Sequence, residues 1–554
     1  MDSVKRGHAR RGNERPPGER GLWIVAGLLA ATLVIVVGVP AAAVVAGLVR
    51  TIASAGQAAK VSAGLLVSTA AHALGIAVLA TALAWPAAWM LRRSRRPALA
   101  GALVAIPLLL PHYLAYAGLN LLRAPRTPLG DWLAHQPPWA SIAFGKAIAV
   151  IGLAMWAWPL AVLVLTPAVR ALPRETIETL ELDGAGRAWP LRRTAHLARM
   201  LRGPLVLAVA VITLVMLGSA VPLHVAQVST AATELWLALN LSPDPAAAWW
   251  KAWPLMLIAL GAAVVAARWA PAGMGNVPAG AVETTSRRLP GAGTAVVWLL
   301  SVGIPIALFA TSLHAPGEAP SLHQARLMSE SFWRVSGEAV AASARHAAGL
   351  GVLTALLALA SWAGWSAVAG RSAAASWARR LAAASGAALA AAAIVPGVLV
   401  GSAVSQAWGW SAATAWIGDT GAILILAHLA RFGVVGCAVG WWLASLEPRE
   451  VRDARRLDGA AGLIGWWQGV VDARGLGAVA AAGIAAGLLG FHEIEAAVIV
   501  QPPGVPSLAQ QVLESLHFAR DERLAAAAVN LVGLGIVIGA GTGVLLARAA
   551  APRE

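Results

Sequence analysis

Residues 22–49 read LWIVAGLLAATLVIVVGVPAAAVVAGLV, and this stretch decides the fold class. The stretch is 28 residues long and contains no charged side chain. An α-helix needs roughly 20 residues to cross about 30 Å of hydrocarbon, so this stretch is long enough to span a membrane. Similar runs follow along the chain, where 58% of the 554 residues are hydrophobic and 12% are charged. A soluble domain has about 25% charged residues. The sequence therefore predicts an all-α polytopic membrane protein, because spanning helices satisfy their own hydrogen bonds and no segment alternates like a barrel strand.

Apolar stretches bounded by arginine, proline or polar clusters predict about twelve transmembrane helices. They lie near residues 22–49, 62–91, 98–122, 141–169, 203–227, 251–270, 294–313, 339–369, 381–408, 419–446, 476–500 and 524–548. We assign residues 1–21 to a tail, 22–270 to a first half, 271–293 to a linker rich in Gly and Pro, and 294–549 to a second half. The first run is too long for the apolar core of a cleavable signal, so we expect an uncleaved first span.

Basic residues are concentrated in alternate loops. The set of loops that includes both termini holds 30 Lys and Arg residues, and the opposite set holds ten. Because cytoplasmic loops carry the excess of positive charge, we expect both termini in the cytoplasm. The net charge of +16 is then explained by topology, and nucleic-acid binding is not expected.

A short element recurs half a chain length later. Leu182-Asp183-Gly184-Ala185 returns as Leu457-Asp458-Gly459-Ala460, 275 positions on. Each copy follows the fourth apolar run of its half, so both fall in predicted cytoplasmic loops, at 171–202 and 447–475. The sequence predicts two six-helix repeats in parallel orientation. A polar interfacial helix that only caps a span is the alternative interpretation of this element.

These loops resemble the coupling loop of bacterial ABC-importer permeases, whose pattern begins Glu-Ala-Ala and places a glycine six residues after the glutamate. Glu178-Thr179-Leu180 precedes Gly184 at that spacing, and Asp453-Ala454-Arg455 precedes Gly459. The resemblance implies a short cytoplasmic coupling helix in each loop that docks on an ATP-binding subunit. The coupling residues expected from it are Glu175, Glu178, Asp183, Gly184, Arg187, Asp453, Arg455, Arg456, Asp458 and Gly459.

Residues 493–518 resemble the end of the double-length permeases of the iron(III)-importer group. Pro502-Pro503-Gly504 falls there in a predicted periplasmic loop, and the resemblance implies that a solute-binding protein docks at this turn. It further implies a multi-pass protein of the bacterial inner membrane with two ATP-binding subunits and a periplasmic binding protein as partners. The implied cargo is a small solute, with iron(III) as one candidate.

Ionisable side chains at membrane depth are costly, so they are candidates for a translocation pathway. His492, Glu493 and Glu495 lie late in the fifth predicted span of the second half, and carboxylates suit a hard cation such as ferric iron. The first half has Gly218-Ser219-Ala220-Val221 in the matching place. A symmetric metal cage is therefore not expected, metal ligands remain unassigned, and a structural hydrogen bond or salt bridge is favoured for Glu493.

Two further polar groups lie within predicted spans. Arg431 is a candidate partner for a buried carboxylate. His112 is interpreted as a helix-packing residue.

Missing motifs also limit the function. The chain has no Gly-x-x-x-x-Gly-Lys-Ser/Thr run, so we expect a transport subunit without its own cofactor, and ATP and magnesium in the partner subunits. The single cysteine, Cys437, excludes an intrachain disulfide.

An ATP-independent secondary transporter of the major-facilitator type is the main alternative function, although the acidic, glycine-bearing signature of that group is missing from Arg92–Arg96. A lipid-modifying membrane enzyme is a third, but no convergent acid–base set supports it.

Overall fold

The computed structural model describes residues 19–53, 61–94, 96–109, 111–124, 127–182, 189–241, 245–269, 288–314, 318–319, 321–367, 372–409, 414–458, 462–518 and 520–549. Within these ranges the regular structure is helical, with no strand. Nine of the described helices are long and apolar enough to cross a membrane, and the number rises to 12 if each of three bent pairs forms one span. The all-α, multi-pass class predicted from the sequence is confirmed.

The helices before residue 270 are α1 (Glu19–Thr32), α2 (Val39–Ala53), α3 (Ala63–Arg93), α4 (Pro97–Ala105), α5 (His112–Asn120), α6 (Pro128–Ala134), α7 (Pro138–Ala171), α8 (Arg174–Leu182), α9 (Trp189–Met200), α10 (Arg202–Leu217), α11 (Val221–Val225), α12 (Ala231–Leu241) and α13 (Pro245–Trp269). A π-helical segment, Leu33–Gly38, joins α1 to α2 into one span, and two 3-10 segments, Ile106–Leu109 and Leu121–Arg123, flank α5.

The helices after residue 287 are α14 (Arg288–Trp298), α15 (Ile304–Thr311), α16 (Leu322–Ser366), α17 (Ala373–Ile394), α18 (Gly397–Trp408), α19 (Ala415–Gly418), α20 (Ala422–Ser445), α21 (Arg449–Leu457), α22 (Leu463–Gly469), α23 (Ala473–Phe491), α24 (Glu495–Val500), α25 (Leu508–His517) and α26 (Asp521–Ala549). A second π-helical segment, Leu299–Gly303, joins α14 to α15. Because α14 begins at Arg288, the last six residues of the predicted linker, 288–293, are helical.

Both predicted third spans are bent rather than straight. Leu99–Leu108 meets His112–Arg123 at 69°, and α17 meets α18 at 117°. Pro111 and Pro396 are the residues immediately before α5 and α18. Proline lacks an N–H and disfavours helical backbone in the residue before it, and Val395 is extended, with ψ 137°.

The predicted fifth spans, 203–227 and 476–500, are each interrupted. In the first half α10 ends at Leu217 and the short α11 follows after three residues. In the second half α23 ends at Phe491 and the short α24 follows after three residues. The apolar run continues through the first interruption, whereas the second contains His492 and Glu493. The spans predicted from the sequence are unbroken in both places.

Helix α16 is longer than the apolar run that predicts it. It begins at Leu322 rather than near residue 339 and contains 45 residues, which at 1.5 Å per residue is about 68 Å, more than twice the hydrocarbon thickness. Its polar first part is held by Asn530 of α26, which accepts hydrogen bonds from Ser329 (3.1 Å) and Trp333 (3.0 Å).

The two halves are packed into each other. In the first half α3 packs against α7 and α10, and in the second half α16 packs against α20 and α23. The first helix of each half crosses to the other: α1 contacts α16 and α17, while α14 contacts α3. The largest apolar core contains side chains from both halves, among them Leu153, Ile212, Val398 and Ile494.

Candidate functional site at the meeting of four helix breaks

The interruptions of the third and fifth spans meet near the middle of the protein. A Cβ atom on Gly218, in the fifth-span break of the first half, would lie 2.9 Å from Cα of Pro396, in the third-span break of the second half. The 3-10 segment Ile106–Leu109, just before the third-span break of the first half, packs against α23, which ends at the remaining break. Each half therefore brings its third-span break against the fifth-span break of the other.

Glu493 acts as a cap for the short helix that follows it. Its side chain is 5% exposed overall, and its carboxylate accepts hydrogen bonds from the backbone N–H of Ala496 (3.0 and 3.1 Å) and Ala497 (3.1 Å). A side-chain oxygen in this position satisfies the orphan donors of a helix N-terminus, which carries partial positive charge. Arg431 donates to the same carboxylate, and Nε2 of His428 lies 3.3 Å from Oε2 of Glu493.

Glu495 connects the two halves. It is 2% exposed, and its Oε1 accepts a 2.8 Å hydrogen bond from the backbone N–H of Ala220 in the first half. Its Oε2 lies 3.4 Å from Nη1 of Arg431. Ala220 and Glu495 are 275 residues apart, the same offset as the Leu-Asp-Gly-Ala copies. The carboxylate in one break thus satisfies a backbone donor at the corresponding point of the other.

Glycines allow this close approach. A Cβ on Gly397 would lie 2.9 Å from Cβ of Glu495, and one on Gly401 would lie 2.8 Å from the carbonyl oxygen of Ala496. Contacts under 3.0 Å require neighbouring atoms to shift, and at Gly401 those atoms are backbone. The start of α18 is therefore pressed against α24.

The cluster of Arg431, Glu493, Glu495 and His428 suits holding two parts of a membrane protein together. Buried charges are tolerated when they are paired and hydrogen-bonded, and both carboxylates here are. Arg431 has the carboxylate partner expected for it, Glu493. The pathway role suggested for His492, Glu493 and Glu495 stays a prediction. Among the described residues, no group of three or more His, Cys, Asp or Glu side chains could hold a metal ion.

His492, the third residue proposed for this region, is also buried, with 5% exposure. The packing interpretation of His112 is supported by the position of its ring, whose centroid lies 5.5 Å from that of the Trp156 ring.

The convergence of the breaks was not predicted, because the contacts join residues far apart in the sequence. Pro111 and Pro396 carry a partial signal, since each stands within an apolar run.

Short helices stand at both predicted coupling loops. On α8 Ile177 and Leu180 are buried, while Glu175 and Glu178 are exposed. On α21 and just after it, Asp453, Leu457 and Asp458 are exposed, with Leu457 86% accessible. Asp183, Gly184, Arg187 and Gly459 lie outside the described residues, and the side chain of Arg456 is not described.

Arg455 differs from the other proposed coupling residues because it faces inward. It is 6% exposed, pairs with Glu447 and donates a 3.2 Å hydrogen bond to the carbonyl of Ser366 at the end of α16. Arg452 also pairs with Glu447, at 3.3 Å, and donates to the carbonyl of Ala444. These arginines fasten α21 to the ends of α16 and α20, so Arg455 positions the helix.

The sequence repeat at these helices is longer than Leu-Asp-Gly-Ala alone. Pro173-Arg174-Glu175 recurs as Pro448-Arg449-Glu450 at the same offset of 275 residues, so both loops read Pro-Arg-Glu-x6-Leu-Asp-Gly-Ala. In each half these letters coincide with the start of the short helix. Extending the comparison outward from Leu-Asp-Gly-Ala in the sequence would have found them.

The turn at Pro502-Pro503-Gly504 lies beside α25, with Pro503 and Gly504 exposed and Pro502 buried. Gly504 has φ 78°, a left-handed conformation that favours glycine. The side chain of Gln501 donates to the carbonyl of Val505 and closes the turn. The turn and α25 border a concavity of about 540 Å³.

No family model matches the chain, and no curated protein or solved structure shows significant similarity to it.

Proposed function

We propose that this chain is the permease subunit of an ATP-driven ABC importer of the bacterial inner membrane, with both halves of the translocation pathway in one polypeptide. It would carry a small solute delivered by a periplasmic binding protein, and the resemblance makes iron(III) one candidate cargo. The proposal assigns ATP and magnesium to two separate ATP-binding subunits.

The observation that carries the proposal is the pair of exposed short helices α8 and α21. Each follows the fourth span of its half, opens on Pro-Arg-Glu and leads to Leu-Asp-Gly-Ala. Their outward residues combine acidic groups with an apolar one, Leu457. A short amphipathic helix of this kind fits a groove on a partner.

The order of the helices supports two parallel repeats. The structure describes thirteen α-helices before residue 270 and thirteen after residue 287, and their breaks follow the same order. Each half has a π-helical segment that ends at the glycine of Gly-Val-Pro or Gly-Ile-Pro in its first span, a bent third span and an interrupted fifth span. An internal duplication that places breaks at mid-membrane is typical of transporters.

The contacts between the helix breaks support a pathway that opens and closes between the two halves. Glu495 of the second half binds Ala220 of the first, and Gly218 lies against Pro396, so separation of the halves has to break these contacts. In the proposed cycle, closure of the ATP-binding subunits moves α8 and α21, and the breaks part to admit solute.

Copurification tests this function with two matched leucines. Leu457 on α21 is 86% exposed and Leu322 at the start of α16 is 92% exposed, and we place them on opposite sides of the membrane. After mild solubilisation we expect an ATP-hydrolysing subunit to copurify with the wild type and with Leu322→Arg, but not with Leu457→Arg. Solute uptake that persists without ATP, with no ATPase bound, would refute the proposal and favour the secondary transporter.

A further inference from the structure

A groove between helices of the first half is suited to a lipid chain. It has a volume of about 700 Å³ and is formed by α3, α9, α10 and α13. Its walls include Leu74 and Val78 of α3, Val206 of α10 and Val265 of α13, which are between 37% and 53% exposed. The volume is within the range of small-molecule sites, and the lining is almost entirely apolar.

One end of the groove is closed by α9. The segment Arg192–Met200 is bent 76° from α10, and Thr194 and Ala198 reach the groove. Leu197 is buried, whereas Arg192 and Arg199 are exposed. An amphipathic helix with arginine on its polar face, lying across the end of a spanning helix, is typical of a membrane interface.

Arginines from two helices stand at this same end. Arg202, exposed, is one helical turn from Leu205 and Val206 of the wall, and Arg268, exposed, is one turn from Val265. The four helices that form the groove contain no Asp or Glu in their described ranges. An apolar groove whose four helices carry arginines but no acidic side chain at one end has the charge distribution that complements an anionic phospholipid.

We propose that this groove binds an anionic glycerophospholipid, with an acyl chain between α3, α10 and α13 and the phosphate beside Arg202 and Arg268. The site is independent of the transport function proposed above. It lies within the first half alone.

Native mass spectrometry of the purified full chain tests this site. The probe is an equimolar mixture of phosphatidylglycerol and phosphatidylethanolamine with identical acyl chains. We expect the wild type to retain phosphatidylglycerol preferentially, and Arg202→Ala/Arg268→Ala to lose about fivefold of that preference per arginine. Ala82→Trp, at an exposed wall position of α3, fills the groove and should lower retention of both lipids.

The pair Arg379→Ala/Arg380→Ala is the matched control. Both arginines are exposed on α17, which forms no part of the groove, and both stack on tryptophan rings. The control should keep the wild-type lipid preference. Equal retention of the two lipids by the wild type, or an equal loss of preference in the control pair, would overturn the proposal.

Discussion

The fifth-span break of the first half carries no charged side chain, whereas that of the second half carries two glutamates. Gly218, Ser219 and Ala220 stand where the second half has Glu493, Ile494 and Glu495, 275 residues later. The halves are complementary rather than equivalent: one supplies carboxylates and the other supplies the backbone N–H of Ala220 that Glu495 binds. The unlike sequences of the two breaks therefore build an interface between the halves.

The largest effect is expected at Arg431, which compensates both carboxylates. Arg431→Met leaves Glu493 and Glu495 buried without their cation, and removing one partner of a buried ion pair costs roughly 3–5 kcal/mol. The free energy of unfolding in mixed micelles measures this loss. The triple variant Arg431→Met/Glu493→Gln/Glu495→Gln should recover most of it. A triple variant as unstable as Arg431→Met alone would contradict the charge explanation.

The contact between halves is tested at Glu495. Glu495→Ala removes the acceptor of the Ala220 N–H and should cost about 1.5–3 kcal/mol of unfolding free energy. Glu495→Gln keeps an oxygen that can accept the Ala220 N–H, and Arg431 remains paired with Glu493. We therefore expect it to lose less than half of the unfolding free energy that Glu495→Ala loses. If the two variants are equally destabilised, the hydrogen bond to Ala220 is not the stabilising element.

The tight approach of the two breaks is tested at Gly218. Gly218→Ala places a Cβ 2.9 Å from backbone Cα of Pro396, and such overpacking costs about 1–3 kcal/mol. The control is Gly75→Ala on α3, where a Cβ would meet nothing within 4 Å. There the change should be neutral or stabilise by about 0.5–1 kcal/mol, because alanine favours helix over glycine. A thermal melt of both variants decides between these outcomes.

The smallest effect is local and concerns α21. Arg455→Ala frees the end of α16 and leaves Arg452 alone with Glu447, whose side chain is 1% exposed. Limited proteolysis should then cleave near α21 several times faster, with global unfolding less affected. Glu178→Ala, at an exposed position of α8, is the control and should leave proteolysis unchanged. Equal rates in both variants would show that Arg455 does not anchor α21.

Hydropathy predicted the membrane class and the approximate positions of the spans because long apolar runs leave few alternatives. It did not predict the extension of α16, since residues 322–338 are polar and lie outside any apolar run. Nor did proline alone predict the bends. Pro86 and Pro159 lie inside unbroken helices, whereas Pro111 and Pro396 mark breaks, and the difference depends on tertiary contacts.

The candidate site was predictable in part. The cost of burying charge indicated a carboxylate partner for Arg431, but its identity was not determined because Glu493 and Glu495 are 62 and 64 residues away. The role of Ala220 could not be predicted, since its donor is a backbone N–H with no side-chain signature. The inward position of Arg455 likewise depends on the ends of α16 and α20.

Site-directed crosslinking shows whether α8 and α21 contact an ATP-binding subunit. The only cysteine, Cys437, is buried, so single cysteines can be placed at Glu178, Asp453 and Leu322 in a Cys437→Ala background. We expect Glu178→Cys and Asp453→Cys both to crosslink to an ATP-binding subunit in native membranes, whereas Leu322→Cys should not. Absence of any crosslink from both helices in membranes that still take up solute would contradict it.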